Sequence, residues 1–174
     1  MSARRQRQMC IRDRFLPATK VMPKEMLPLN DRPLIQHAVE EAREAGIEEF
    51  IFVTSDHKDM LAKHFDFQPE LVKTLKSRGK TDMLEKVADS DMPAGDLFLT
   101  HQAQPLGLGH AVWCEREILG DEPFAVILPD DVFLAEKSCL AQMVEAYNEL
   151  GGNLMAVTDV SKEDTARYGI VDIK

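Results

Sequence analysis

At 174 residues the chain is long enough for one domain with a substantial core and too short for two of ordinary size. Hydrophobic residues make up 44% of it, yet no apolar run approaches bilayer length, which points to a soluble globular protein and excludes a helical membrane span. A net charge of −9 argues against nonspecific nucleic-acid binding, because a broadly acidic surface has few cations with which to displace phosphate counter-ions.

Cys10, Cys114 and Cys139 are odd in number and lack C-x-x-C spacing, so neither a disulfide framework nor a zinc site is expected and a reducing cytoplasm fits. Arg4, Arg5, Arg7 and Arg12 crowd the start, but no apolar segment follows them as a secretory signal requires. From Arg14 to Pro28 runs a loop stiffened by Pro17, Pro23 and Pro28, each of which fixes its own φ and pushes its predecessor toward extended geometry. Arg14, Lys20 and Lys24 lie along it. An arginine fork and lysine point charges together suit a polyphosphate, although a solvated basic loop has the same composition.

Residues 32–46 predict a helix, with Pro33 near its start, a stripe of Leu34, Ile35, Ala38, Val39 and Ala42, and Gly46 at its end. Phe50-Ile51-Phe52-Val53 predicts a strand covered on both faces. Helical stripes follow at Met60, Leu61, His64 and Phe65, at Leu71, Val72 and Leu75, and at Met83, Leu84 and Val87. Pro93-Ala94-Gly95-Asp96 turns into a short strand, Leu97-Phe98-Leu99. A helix starting near Gly107 carries Ala111, Val112, Cys114, Ile118 and Leu119. Phe124-Ala125-Val126-Ile127-Leu128 predicts the clearest buried strand, closed by Pro129. Leu140, Met143, Val144 and Tyr147 mark another helix, stopped by Gly151-Gly152, and Leu154-Met155-Ala156-Val157 a further strand. Alternating strands and helices predict an open α/β sheet with helices on both faces, where ligands bind beyond the carboxyl ends of the strands.

Three constellations fall at such ends. The basic loop is the first. The second runs from Gln102 to His110 through Gly107 and Gly109, where the absent Cβ atoms let a planar base or a phosphate approach the main chain and Gln102 can donate to and accept from a base edge. Two glycines can also simply make a tight turn, and His110 reads as a helix-start or packing residue rather than a catalyst. The third is Asp130-Asp131, able to hold Mg²⁺, which takes few protein ligands and otherwise binds water and phosphates. An acidic turn would look the same. Taken together, a cationic loop, a base reader and a metal carboxylate describe a nucleoside-triphosphate site.

At these residues the chain resembles the bacterial UTP:glucose-1-phosphate uridylyltransferases (UDP-glucose pyrophosphorylases), a branch of the sugar-1-phosphate nucleotidyltransferases. The resemblance covers roughly residues 14–174, through R-F-L-P-A-T-K-x-x-P-K-E-M-L-P, P-L-I-Q-x-A-V-E-E-A, G-L-G-H-A-V, L-P-D-D and R-Y-G-I-V-D. It implies a Rossmann-like three-layer sheet and the transfer of UMP from UTP to glucose-1-phosphate, giving UDP-glucose and pyrophosphate. By the same resemblance Arg14 and Lys24 would hold triphosphate oxygens as the catalytic cations, and Glu25, Gln102 and Gly107 would surround the uracil. Asp130 would bind Mg²⁺ and Gly169 would border the sugar. A cytoplasmic location and small-molecule substrates, with no nucleic acid or membrane partner, follow, and a homo-oligomer is compatible with the full-length enzyme.

The pattern breaks at both ends. The family opens with an apolar strand and a G-x-G-T-R-F loop, whereas Cys10-Ile11-Arg12-Asp13 stands here, with Cβ atoms that would crowd phosphates and an added negative charge. Residues 1–13 are therefore expected to be foreign to an authentic nucleotidyltransferase domain spanning 14–174. Family members also continue past Lys174 with a glutamate-lysine pair for the sugar phosphate and a second metal aspartate, so the fold is expected to be incomplete at both ends, poorly soluble and doubtful in activity. Competing functions are a catalytically silent nucleotide-binding module and a nucleotidyltransferase for another base, such as that of dTTP.

Overall fold

The computed structural model describes residues 16–54 and 58–171. Arg14 and the 1–13 segment lie outside the described residues.

The prolines of the basic loop break it into two short 3-10 turns, Ala18–Lys20 and Lys24–Met26. The Lys20 N–H donates to Pro17 O at 3.0 Å, and the Met26 N–H donates to Pro23 O at 3.0 Å. A small antiparallel hairpin follows, β1 (Pro28–Leu29) against β2 (Arg32–Pro33), turning on Asn30 at φ +60, a left-handed conformation that asparagine tolerates better than most residues. The predicted helix over 32–46 thus begins later, as α1 (Leu34–Glu44), because Arg32 and Pro33 are used in the hairpin and Pro33 holds an extended ψ of 153. Ile35, Val39 and Ala42 form its buried stripe, and Gly46, at φ +86, ends it as predicted.

β3 (Phe50–Thr54) pairs in parallel with β4 (Leu97–His101), in register from Phe50 opposite Leu97 to Thr54 opposite His101. Parallel strands need a long crossover. Here it consists of α2 (Lys58–Phe65), α3 (Pro69–Ser77) and α4 (Thr81–Ala88). Because side chains alternate along a strand, Phe50, Phe52, Leu97 and Leu99 share one face, and they pack with Met26 and Met92 against Ile35 and Val39 of α1 and Leu61 and Phe65 of α2. Phe65, only 1% exposed, meets Phe52 edge-on at 5.4 Å between ring centroids. The other face is thinly covered. Phe98 is 40% exposed, so β3, predicted to be buried on both sides, is half-buried along its length.

The helix expected near Gly107 is broken into α5 (Leu108–Cys114) and α6 (Arg116–Leu119). Glu115, between them, is 4% exposed and accepts a hydrogen bond from Thr100 Oγ1 at 2.7 Å, which ties the break to β4. α7 (Cys139–Leu150) packs on α1. Ser138 caps it, accepting from the Ala141 N–H at 3.1 Å, and the Leu140 N–H donates to Glu41 Oε1 of α1 at 3.0 Å.

Two predicted strands are not formed. Residues 124–128 and 154–157 enter no ladder, and Phe124, Val126, Met155 and Val157 are all at least half exposed. Apolar composition marks a segment that favours burial, but a strand exists only where a neighbour completes its hydrogen bonds, and none of the described residues does so. Among the described residues no helix is long and apolar enough to cross a membrane.

Candidate functional site

The Lys24–Met26 turn is fastened at both ends. Pro23 is buried ahead of it and Met26 packs on the core. The Leu27 N–H then donates to Lys24 O at 3.1 Å, and the Leu34 N–H at the start of α1 donates to Leu27 O at 3.0 Å. A turn so held presents Lys24 in a fixed direction, and Nζ donates to Asp130 Oδ2 at 2.6 Å, a charge-assisted bond across 106 residues of sequence. Asp130 sits in the turn that follows residues 124–128, where the Asp131 N–H donates to Leu128 O at 2.9 Å. The lysine and carboxylate side chains are 23% and 43% exposed, so a ligand could reach and separate them. Glu25, next in the turn, is half-buried.

Gln102 lies just past the carboxyl end of β4, and its main-chain N–H donates to Thr54 O at 2.9 Å, extending the parallel ladder by one residue. Its side chain folds back over the loop. Nε2 donates to Gly107 O at 3.1 Å and approaches His110 Nδ1 at 2.9 Å. The group facing a carbonyl oxygen must be the NH₂, so both amide hydrogens are engaged within the loop and Gln102 can offer a ligand only its acceptor oxygen. The sequence suggested both donor and acceptor. Gly107 itself has φ +100 and ψ 177, a backbone region essentially reserved for glycine, and a Cβ built there would meet nothing within 4 Å.

Two pairs of candidate residues are therefore brought together, Lys24 with Asp130 and Gln102 with Gly107. Gly169 follows the Asp164–Arg167 turn in an exposed stretch, and among the described residues no hydrogen bond or ion pair draws it into either pair. His110 is the contact that sequence reasoning missed, since a glutamine and a histidine eight positions apart make no recognised motif. A hollow lined by Phe65, Phe67, Met92 and Gly95 opens at the amino end of β4, opposite to the end where Gln102 stands.

A family model described as nucleotidyl transferase matches residues 13–174. The chain belongs to the nucleotidyl transferase family. The UTP--glucose-1-phosphate uridylyltransferase of Komagataeibacter xylinus is 52% identical to this chain over 160 residues, 92% of this chain and 56% of that protein. The enzyme of the same name from Bacillus subtilis strain 168 is 51% identical over 159 residues, 91% of this chain and 54% of its own length. The solved structure of UTP-bound UGPase from Acinetobacter baumannii has a TM-score of 0.71 at 42% identity, covering 79% of this chain and 49% of that one. A UDP-glucose pyrophosphorylase complexed with UDP-glucose has a TM-score of 0.72 at 39% identity, covering 89% and 56%.

The fold is therefore the open α/β fold of those structures, in agreement with the expectation from alternating strands and helices. The chain spans about half the length of the curated relatives it matches. Among the described residues no group of three or more His, Cys, Asp or Glu side chains could hold a metal ion.

Proposed function

We propose that this chain is part of an enzyme that transfers UMP from UTP to glucose-1-phosphate, giving UDP-glucose and pyrophosphate, within a domain spanning 14–174. The observation that supports this is the Lys24–Asp130 pair, an ammonium beside a carboxylate, the two kinds of group that a nucleotide phosphate and its metal ion call for. The names of the two uridylyltransferase relatives point to the same reaction.

In this mechanism Arg14 and Lys24 hold the triphosphate oxygens. A phosphate oxygen of glucose-1-phosphate attacks the α-phosphorus of UTP, a new P–O bond forms, and the bond to the bridging oxygen breaks to release pyrophosphate. The attacking oxygen is already anionic at neutral pH, so no general base is required, and the protein's task is to align two anions and offset the charge that develops between them. Glu25, Gln102 and Gly107 receive the uracil, and Gly169 borders the sugar. The acceptor oxygen of Gln102 suits the N3–H of uracil or thymine and disfavours cytosine, whose N3 is itself an acceptor.

A partly exposed carboxylate is the kind of protein ligand that Mg²⁺ uses when water and phosphate oxygens complete its shell, so Asp130 would hold that ion once Lys24 turns to a phosphate. When bound it would supply charge neutralisation at the transferring phosphoryl group. A cytoplasmic enzyme acting on small molecules fits this chemistry.

Equilibrium binding of UTP and release of pyrophosphate, measured separately, test the proposal. Turnover with UTP, glucose-1-phosphate and Mg²⁺ is expected from a chain extended with a glycine-rich start and the remaining carboxyl-terminal half, and its loss on Asp130→Asn. UTP binding without turnover in that extended enzyme would instead mark a silent nucleotide-binding module.

A further inference from the structure

We propose that His110 is a positioning residue that sets base selectivity by locking the side-chain amide of Gln102 in one of its two orientations. This rests on Gln102 being the residue that reads the base.

A glutamine amide that is free to flip presents either a donor or an acceptor to a ligand, and a residue of that kind cannot distinguish a ring N3–H from a bare N3. Two fixed acceptors remove the freedom. Gly107 O takes one amide hydrogen at 3.1 Å and His110 Nδ1 takes the other at 2.9 Å, so the oxygen is turned away from both. A neutral imidazole can accept at Nδ1 only if its own proton is on Nε2, which assigns the tautomer. The ring is held in its turn by its place in α5, half-buried, with Cys114 one helical turn on and its Sγ 3.7 Å from the same nitrogen.

Gly107 alone would leave the amide on a single hydrogen bond to an exposed loop carbonyl. His110 supplies the second anchor from a helix, and it belongs to the G-L-G-H run whose glycine provides the first. One short segment thereby fixes the polarity of the side chain that follows β4.

Competition between UTP and CTP for this chain, measured by equilibrium binding, is the test. The unsubstituted chain is expected to prefer UTP. His110→Leu should reduce that preference by roughly two- to tenfold, the worth of one neutral hydrogen bond. His110→Asn, whose side-chain oxygen stands where Nδ1 was, should restore most of it. An unchanged preference in His110→Leu would overturn the proposal while leaving Gln102 as base reader. No preference in the unsubstituted chain would overturn both. The unsubstituted chain also carries an independent readout: nitrogen-15 spectra above neutral pH should show His110 as the Nε2–H tautomer, and the Nδ1–H form would refute the assignment.

Discussion

Gly107 and Gly109 are two residues apart, and their substitution by alanine is expected to move stability in opposite directions. At Gly107 the backbone holds φ +100 and ψ 177, where an L-residue is strained by about 1–3 kcal/mol. A Cβ at that position meets nothing within 4 Å, so no clash adds to the strain. Stiffening of the unfolded chain returns about 0.4–1 kcal/mol, leaving Gly107→Ala less stable by up to about 2.5 kcal/mol. Gly109 lies inside α5 with ordinary dihedrals and equally open surroundings, so alanine there raises stability by up to about 1 kcal/mol. Urea titrations followed by circular dichroism measure both. Equal midpoints, or Gly109→Ala as the weaker variant, would show that strain at Gly107 is not what selects glycine. UTP affinity should also fall in Gly107→Ala, because the strained loop carries the carbonyl that holds Gln102.

Lys24→Met removes the ammonium that engages Asp130, so Mn²⁺ binding to the nucleotide-free chain, followed by water-proton relaxation, should tighten, and Asp130→Asn should weaken it. Burial holds His64 below its ordinary 6.5, with Nε2 donating to Gln36 Oε1 at 2.9 Å. The unfolded chain then takes up that proton first, so stability is full above pH 6.5, falls as pH drops through 6.5, and levels off once the folded ring protonates. His64→Gln should flatten that part of the urea-midpoint profile. Phe65→Ala, at a side chain 1% exposed, should cost about 3–5 kcal/mol in chemical denaturation, and a loss below about 1 kcal/mol would mean that the cluster around it is not the core. Ser138→Ala deletes the cap of α7 and should cost about 1 kcal/mol by the same measurement.

Much of this molecule is written locally. The stripe of Ile35, Val39 and Ala42 encodes α1 because a period of 3.6 puts those side chains on one face, and Gly46 ends it because a left-handed residue is needed there. The runs at Phe50 and Leu97 mark β3 and β4 for a different reason, since each is a short unbroken apolar stretch that favours burial as a strand. Residue types and their spacing likewise name the charged loop, the glycine turn and the acidic pair. Periodicity states which face seeks burial and is silent about the partner, so only tertiary structure brought Lys24 to Asp130 across 106 residues and left 124–128 without a ladder. The polarity of Gln102 is of the second kind too. An amide has two equivalent orientations in sequence, and one carbonyl and one ring nitrogen, placed by the fold, select between them.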